Sequence, residues 1–254
     1  MRFARALVTG ASSGIGRAYA EALAAEGTEL VLVARRRERL EELAGRLPAK
    51  AEVVVSDLGT PEGLAAAAGA VEGVDLLVNN AGFGAYMPFV ELPPERAEEQ
   101  LRVQVVAPTL LARAALPGML ERGGGAVINV ASMLAFSAAF QLPQLRRATY
   151  TASKAYLVAF SQQLQQEVGD RVRIQVCCPG VVATEFHSVQ GMDSSHAPGR
   201  LEPEDVVRAS LRGLDLGELI CAPALEDTSL IERWIEAANA LFGGGRGDLA
   251  TRYR

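Results

Sequence analysis

Lysine is nearly missing from this chain. Of 254 residues, 25 are Lys or Arg, and only Lys50 and Lys154 are lysines. Histidine is as scarce, with His187 and His196 in one stretch that also holds Met192 and Asp193. Two imidazoles without a cysteine or carboxylate cluster do not make a metal site, so no metal is expected. The three cysteines exclude a disulfide framework: Cys177 and Cys178 are adjacent in an apolar run and Cys221 sits in another. They read as buried thiols of a reducing compartment. No uninterrupted apolar stretch approaches the ~18 residues of a membrane span. The opening Met1-Arg2-Phe3-Ala4-Arg5-Ala6-Leu7-Val8-Thr9-Gly10 has too short an apolar core for a signal peptide. A net charge of −5 and a pI near 5.3 give no electrostatic footprint for nucleic acid or an anionic membrane. A cytoplasmic, soluble protein with neither partner is expected.

What the chain does have is a regular alternation. Ala6–Thr9, Leu30–Val33, Val53–Val55, Leu76–Val78, Val127–Val130, Ile174–Cys177 and Leu219–Cys221 are short, continuous and apolar, as strands buried on both faces are. Helical patterns lie between and after them, over Gly14–Glu26, Arg37–Arg46, Pro61–Ala70, Pro94–Glu121, Tyr150–Val168, Pro203–Leu214 and Ser229–Leu241. Pro61 and Pro203 fall near a first turn, where proline is tolerated. Strand–helix alternation with right-handed crossovers predicts an α/β fold: one doubly wound domain, a parallel sheet of about seven strands with helices on both faces. No repeat or linker divides residues 1–254, and the glycines from Gly243 to Gly247 suggest a flexible tail over about 243–254.

The first strand runs into Thr9-Gly10-Ala11-Ser12-Ser13-Gly14-Ile15-Gly16, at the start of a helix. Glycine permits the tight turn and lets backbone amides and the helix dipole approach a pyrophosphate. At the end of the second strand, an acid would bind a free ribose 2′-hydroxyl. Here Ala34 is followed by Arg35, Arg36 and Arg37. Three cations at a helix start oppose the macrodipole, and a locally broken rule often marks function. The compensating anion is read as a 2′-phosphate held by an arginine fork, which predicts NADP as cofactor. The alternative is a solvated charge run balanced by Glu38, Glu41 and Glu42.

Lys154 follows Tyr150 by four residues, in Tyr-Thr-Ala-Ser-Lys. On a helix these positions share a face. An ammonium beside a phenol lowers its pKa from about 10, which makes tyrosine a usable proton donor near neutrality. The plainer reading, a helix with one buried aromatic and one solvated Lys, has to be weighed against the rest of the chain.

These residues together resemble the short-chain dehydrogenase/reductase family. The glycine loop is similar to its TGxxxGxG motif and Tyr150/Lys154 to its YxxxK motif. Further matches follow successive strands, over about Ala6 to Val207: Asp57-Leu58, Asn79-Asn80-Ala81-Gly82, Ser132, and Pro179-Gly180-Val181-Val182-Ala183-Thr184. Each stands at the carboxyl end of a predicted strand, where open α/β sheets bind ligands. The resemblance implies an NADP-dependent oxidoreductase moving a hydride between nicotinamide and a carbonyl or alcohol, of carbonyl reductase or alcohol dehydrogenase type. By it, Ser132, Tyr150 and Lys154 are catalytic. Gly10, Ser12, Ser13, Gly14, Ile15, Gly16, Arg35, Asp57, Leu58, Asn80, Ala81, Gly82, Pro179, Gly180, Val182 and Thr184 bind the cofactor, with Tyr150 and Lys154. Tyr150 donates the proton, Ser132 bonds the carbonyl oxygen, and Lys154 holds the nicotinamide ribose.

The chain departs from the family twice. Where a proton-relay Asn usually stands, Val103-Gln104-Val105 occurs, so the relay is kept, rerouted or lost. The segment Met133 to Thr149 is longer than usual, with Phe136 and Phe140 as candidate pocket walls or as residues packing elsewhere. His187 and His196 fall in the family's substrate loop, here about 185–200. Trp234 reads as core or interface packing. The family's pairing of long helices, and of its last strand and helix, implies a homotetramer rather than a dimer. Two other readings stand beside the enzyme. A non-catalytic NADP-binding regulator would lose the catalytic side chains, all three of which are kept. An epimerase or dehydratase is disfavoured by the glycine spacing and by too few residues after Thr184 for a substrate domain.

Overall fold

Alternation along the first two strands decides the architecture. In the computed structural model, which describes residues 3–140, 146–188, 199–245, 247 and 249–254, β1 (Arg5–Thr9) pairs in parallel with β2 (Glu29–Ala34). Ala6, Val8, Leu30 and Leu32 join a buried cluster with Ala18, Leu23, Leu40 and Leu211. Their neighbours Leu7, Val31 and Val33 join another with Ala67, Leu111, Met119 and Leu164. A strand with both faces buried places successive side chains in opposite layers, so an uninterrupted apolar run serves two cores.

The remaining strands are β3 (Ala51–Val55), β4 (Leu76–Asn79), β5 (Ala126–Val130), β6 (Arg173–Cys177) and β7 (Ile220–Cys221). All pair in parallel, in the order β3-β2-β1-β4-β5-β6-β7. Chain direction across the sheet reverses between β1 and β4, where a crevice opens at the strands' carboxyl ends. Seven parallel strands covered by helices on both faces give the Rossmann-type fold that the alternation predicts. The strands fall where the apolar runs lie, most extended by a residue or two.

Helices α1 (Gly14–Ala25), α2 (Arg37–Arg46), α3 (Pro61–Gly69), α6 (Ala148–Val168) and α8 (Pro203–Leu216) also match their patterns. The single helix expected over Pro94–Glu121 is instead α4 (Pro94–Leu101) and α5 (Ala107–Glu121), joined by a π turn over Arg102–Val106. Pro108 explains the change. It has no N–H for the carbonyl of Gln104, and its ring crowds that carbonyl, so the helix widens before it. The Ala107 amide reaches the carbonyl of Arg102, five residues back. By length and composition this run would pass as a membrane span, but half of its most apolar window is buried. A short helix α7 (Glu185–Ser188) was not expected from the sequence.

The chain divides into two compact units, Met1–Pro223 and Ala224–Arg254. The second holds α9 (Ser229–Gly244) and a short turn at Thr251–Tyr253. The helix continues through Gly243 and Gly244, past the expected end at Leu241, since glycine weakens a helix without blocking its hydrogen bonds. Trp234 is 39% exposed and is not a core residue.

Candidate active site

The cleft begins with a clasp between β1 and β4. The hydroxyl of Thr9 accepts hydrogen bonds from the amides of Asn80 (2.9 Å) and Ala81 (3.0 Å), and donates to the Val78 carbonyl at 3.3 Å. Asn80 Nδ2 donates back to the Thr9 carbonyl at 3.0 Å. Two glycines are required here. Gly10 has φ +67°, and a Cβ on it would stand 2.7 Å from Asn80 Nδ2. A Cβ on Gly16 would meet the Gly10 carbonyl oxygen at 2.3 Å, so the backbone itself would have to move.

Beyond the clasp lies a cleft of about 860 Å³, large enough for a bound cofactor with room beside it. Every expected cofactor-binding residue lines it except Gly16, which packs behind the loop. Ser132, Tyr150 and Lys154 line the same cleft, brought together from β5's end and α6. The half-buried loop glycines Gly10 and Gly14 on the cleft wall, the arginines at one end and the buried ammonium at the other fit an extended phosphate-bearing dinucleotide.

Tyr150 is 6% exposed and Lys154 is 4% exposed, so the reading of a solvated lysine fails. Lys154 Nζ donates to the Val130 carbonyl at 2.9 Å and lies 5.6 Å from the Tyr150 ring centroid. The lowered phenol pKa expected from this pair is not found. Burial pushes the Tyr150 phenol up to about 12, and hydrogen bonding with Ser132 and Tyr86 moderates the rise. Burial also brings Lys154 down to about 8. Burial opposes the charged form of each group, and an amine that gives up its proton near 8 carries no charge by the time the phenol titrates. Tyr150 is therefore a protonated donor at neutral pH, while Lys154 remains charged just below its pKa.

Ser132 caps a 3₁₀ turn over Met133–Phe136, with its hydroxyl accepting from the Leu134 amide at 3.2 Å. Met133 and Leu134 line the cleft; Phe136 and Phe140 do not, and Phe140 is 68% exposed. The turn folds the backbone back to the Pro179 carbonyl, which accepts from the Met133 amide at 2.9 Å and points the phenylalanines elsewhere. Residues 141–145 of this segment lie outside the described residues, as do Met192, Asp193 and His196.

Gln104 does not approach Lys154 through any hydrogen bond seen here. It is buried in the π turn and donates from Nε2 to the Phe83 carbonyl at 2.9 Å. Gln100 donates to the same oxygen at 3.0 Å. Both glutamines brace the segment after β4, while their Oε1 atoms lack hydrogen-bond partners.

That braced segment presents a residue the motifs did not reveal. Tyr86 sets its ring edge-on to Tyr150, with centroids 5.2 Å apart, and Phe186 lies 5.8 Å from Tyr150 and 6.4 Å from Tyr86. Tyr86 shares a hydrogen bond with Tyr150, and burial first, then Tyr150, raises its own pKa. No spacing rule marks Tyr86; the only signal was aromatic residues in two segments that follow strand ends. Among the described residues, no cluster of His, Cys, Asp or Glu is arranged to hold a metal.

At the other end, Arg36 makes the contacts. Its guanidinium donates to Ser12 Oγ (2.9 and 3.1 Å) and Ser13 Oγ (2.8 Å) and pairs with Glu185 at 2.6 Å. Arg35 is more exposed, 3.4 Å from Glu99, and Arg37 pairs with Glu41 along the helix. Asp57 lines the cleft beside them, its Oδ1 accepting from the Gly59 amide at 2.9 Å.

A buried ammonium costs stability, which gives a sign to test. The pKa of Lys154 is about 8 when folded against an ordinary 10.5, so below pH 8 the penalty is full. Between those values the unfolded chain binds more protons and stability rises with pH; above 10.5 the penalty is gone. Lys154→Met should therefore raise Tm at pH 7, by an amount reflecting on the order of 3 kcal/mol less the cost of an orphaned Val130 carbonyl. Thermal unfolding from pH 7 to 10.5 should show that advantage shrinking; a Tm lowered at pH 7 would contradict it.

With the geometry in place, comparison with known proteins is direct. Residues 4–194 match the family model described as short chain dehydrogenase. The chain is 32% identical to the very-long-chain 3-oxoacyl-CoA reductase of Anas platyrhynchos over 218 residues, covering 81% of this chain and 67% of that protein. It is 34% identical to the human inactive hydroxysteroid dehydrogenase-like protein 1 over 191 residues, spanning 71% of this chain and only 56% of that one. In three dimensions it is similar to a short-chain dehydrogenase from Sphingobium yanoikuyae in complex with NADPH, with TM-score 0.92, 33% identity, and 98% and 99% of the two chains covered. The match over most of the chain, together with the glycine loop, the strand order and the Ser-Tyr-Lys cluster, shows that this protein belongs to the short-chain dehydrogenase/reductase family of oxidoreductases.

Proposed function

We propose that this protein is an NADP-dependent carbonyl reductase or alcohol dehydrogenase, with Tyr150 as general acid and base. The observation that carries the reading is the convergence of Ser132, buried Tyr150 and buried Lys154 on one cleft whose far end is lined by Arg35 and Arg36. The NADPH bound by the Sphingobium relative supports the choice of cofactor. Gly10, Ser12, Ser13, Gly14 and Ile15 would cradle the pyrophosphate, and Asp57 and Leu58 the adenine. Asn80 to Gly82, Lys154 and Pro179 to Thr184 would hold the nicotinamide riboside. The nicotinamide supplies or accepts the hydride when bound.

The rest falls to the chain. Tyr150 carries a proton at neutral pH and gives it to the carbonyl oxygen as charge develops there. Ser132 hydrogen-bonds the same oxygen, so two donors meet the alkoxide where it forms. The hydroxyls of Ser132 and Tyr86 ease Tyr150 toward the phenolate once its proton has left. Lys154 holds a positive charge beneath it. Tyr86, Phe186, Met133 and Leu134 wall the substrate end with apolar surface, which suits an apolar ketone or secondary alcohol.

A non-catalytic NADP-binding regulator is the second reading, and the inactive human relative is its precedent by name. A dead site would have no reason to retain a buried lysine, whose desolvation is costly, beside a buried tyrosine. We also take the protein to be cytoplasmic and homotetrameric. Exposed Leu101, Val106 and Leu110 on the helical run after β4 and, within the second unit, Leu230, Leu241 and Phe242 support the assembly.

Three outcomes check the reading. Tyr150→Phe should lower kcat by roughly 10²–10⁴ with cofactor affinity nearly unchanged, followed by NADPH absorbance across a ketone and aldehyde panel. Turnover close to normal would place the proton donor elsewhere. Calorimetry should find NADPH bound at least roughly tenfold tighter than NADH, about 1.4 kcal/mol, with the preference reduced in Arg35→Ala. Light scattering at micromolar concentration should give a tetramer; a mass of 26.9 kDa, that of one chain, would refute the assembly.

A further inference from the structure

Of the three arginines at the start of α2, Arg36 and Arg39 find their carboxylate partner outside their own element. The helix dipole presents positive charge at this end, and Arg36, Arg37 and Arg39 add to it. Arg37 is met by Glu41 one turn on, at 3.3 Å. Arg36 and Arg39 are met from across the fold. The carboxylate of Glu185, the first residue of α7, pairs with Arg36 at 2.6 Å through Oε1 and with Arg39 at 2.9 Å through Oε2. Arg36 also donates to both serines of the glycine loop. One carboxylate thus closes a ring of Ser12, Ser13, Arg36 and Arg39.

A phosphate asks for the same donors. Two guanidinium groups and two hydroxyls, at a helix start and open at one side to the cleft, are an anion site by chemistry. Hydrogen bonds from Arg39, Ser13 and Arg36 overcome the effect of burial and hold the Glu185 carboxyl down at about 2. It is therefore ionised throughout the physiological range and occupies the donors as a full negative charge. Resting on the NADP reading above, we propose that Glu185 is an internal counter-anion which competes with the cofactor's 2′-phosphate for Arg36 and so sets how strongly this protein prefers NADP(H) over NAD(H).

The position of Glu185 gives the competition a second consequence. It directly follows Thr184, whose methyl carbon would stand 2.9 Å from a Cβ on Gly14, and it precedes Phe186, whose ring packs on Tyr150 and Tyr86. A phosphate on Arg36 would leave the carboxylate with Arg39 alone and release the start of α7 on its cleft side. A cofactor without the phosphate leaves the Arg36–Glu185 pair intact. Glu185 is therefore a specificity-determining residue that binds no part of the cofactor itself.

Calorimetric titration of the full chain with NADPH, NADH, 2′,5′-ADP and 5′-AMP tests this without turnover. Glu185→Gln should tighten NADPH and 2′,5′-ADP by roughly five- to thirtyfold, the range for a hydrogen bond to a charged group at a half-exposed site. NADH and 5′-AMP should change by less than about twofold. In an Arg36→Ala background the gain should vanish, because the competed-for donor is gone. If the wild type prefers NADPH but Glu185→Gln and Glu185→Ala bind it no more tightly, the counter-anion role is overturned while the NADP reading stands. If the wild type shows no preference between NADPH and NADH, it is the NADP reading that fails, and this inference with it. Equal tightening of all four ligands would mean that Glu185 only blocks the cleft, and would also overturn the proposal.

Discussion

The cleft depends on the hydroxyl of Thr9. A threonine hydroxyl has one proton and two lone pairs, and here all three are used: two amides after β4 donate to it, and it donates to the Val78 carbonyl. The two strands that diverge at the switch point are thereby tied at the level where their chains part. Asn80 completes the tie from the other side. The glycine loop can lie against this clasp only because Gly10 and Gly16 have no Cβ. The arginine-lined end and the aromatic end of the cleft take their positions from it, one through the loop and α1, the other through the chain running from Asn80 to Tyr86.

The site holds its charge at a cost. Lys154 and Tyr150 are both buried, and desolvation opposes ionisation of each, raising one pKa and lowering the other. A scaffold selected for stability alone would carry an apolar residue in place of the lysine. Buried surroundings hold the pair: α6 packs on the sheet through Leu164 and Val168, and the Val130 carbonyl at the end of β5 anchors the ammonium. The phenol is thus held protonated at neutral pH, and its hydrogen bonds with Ser132 and Tyr86 act against that rise in pKa.

Electrostatics divides the cleft. Its inner end is apolar and aromatic around one buried cation, whereas its other end is a surface-facing network of Arg35, Arg36, Arg39, Glu99 and Glu185. Interactions in the first are strong because water is excluded. Those in the second are exchangeable, since half-exposed ion pairs contribute little net energy and yield to a better partner. On the proposed reading, that contrast lets one end fix geometry for chemistry while the other discriminates between cofactors.

The seven strands, their order of occurrence and most helix bounds were readable in the sequence because a doubly covered parallel sheet demands continuous apolar runs separated by amphipathic helices. The placement of Ser132, Tyr150, Lys154 and the glycine loop was readable too, since their spacing serves local geometry: a turn, a helix face, a strand end. The π turn was not read, although Pro108 stands in the middle of the helix expected over Pro94–Glu121, because an interior proline says that the helix must yield without saying whether by a break, a kink or a widened turn. Tyr86 and Glu185 had no local signature. Each matters through a partner distant in sequence, Tyr150 for one and Arg36 for the other, and only the folded chain brings them together. The direction of the Tyr150 pKa shift was misjudged for the same reason. Spacing fixes that a lysine lies one turn away, but burial on every side, which belongs to the tertiary structure, decides how much that charge is worth.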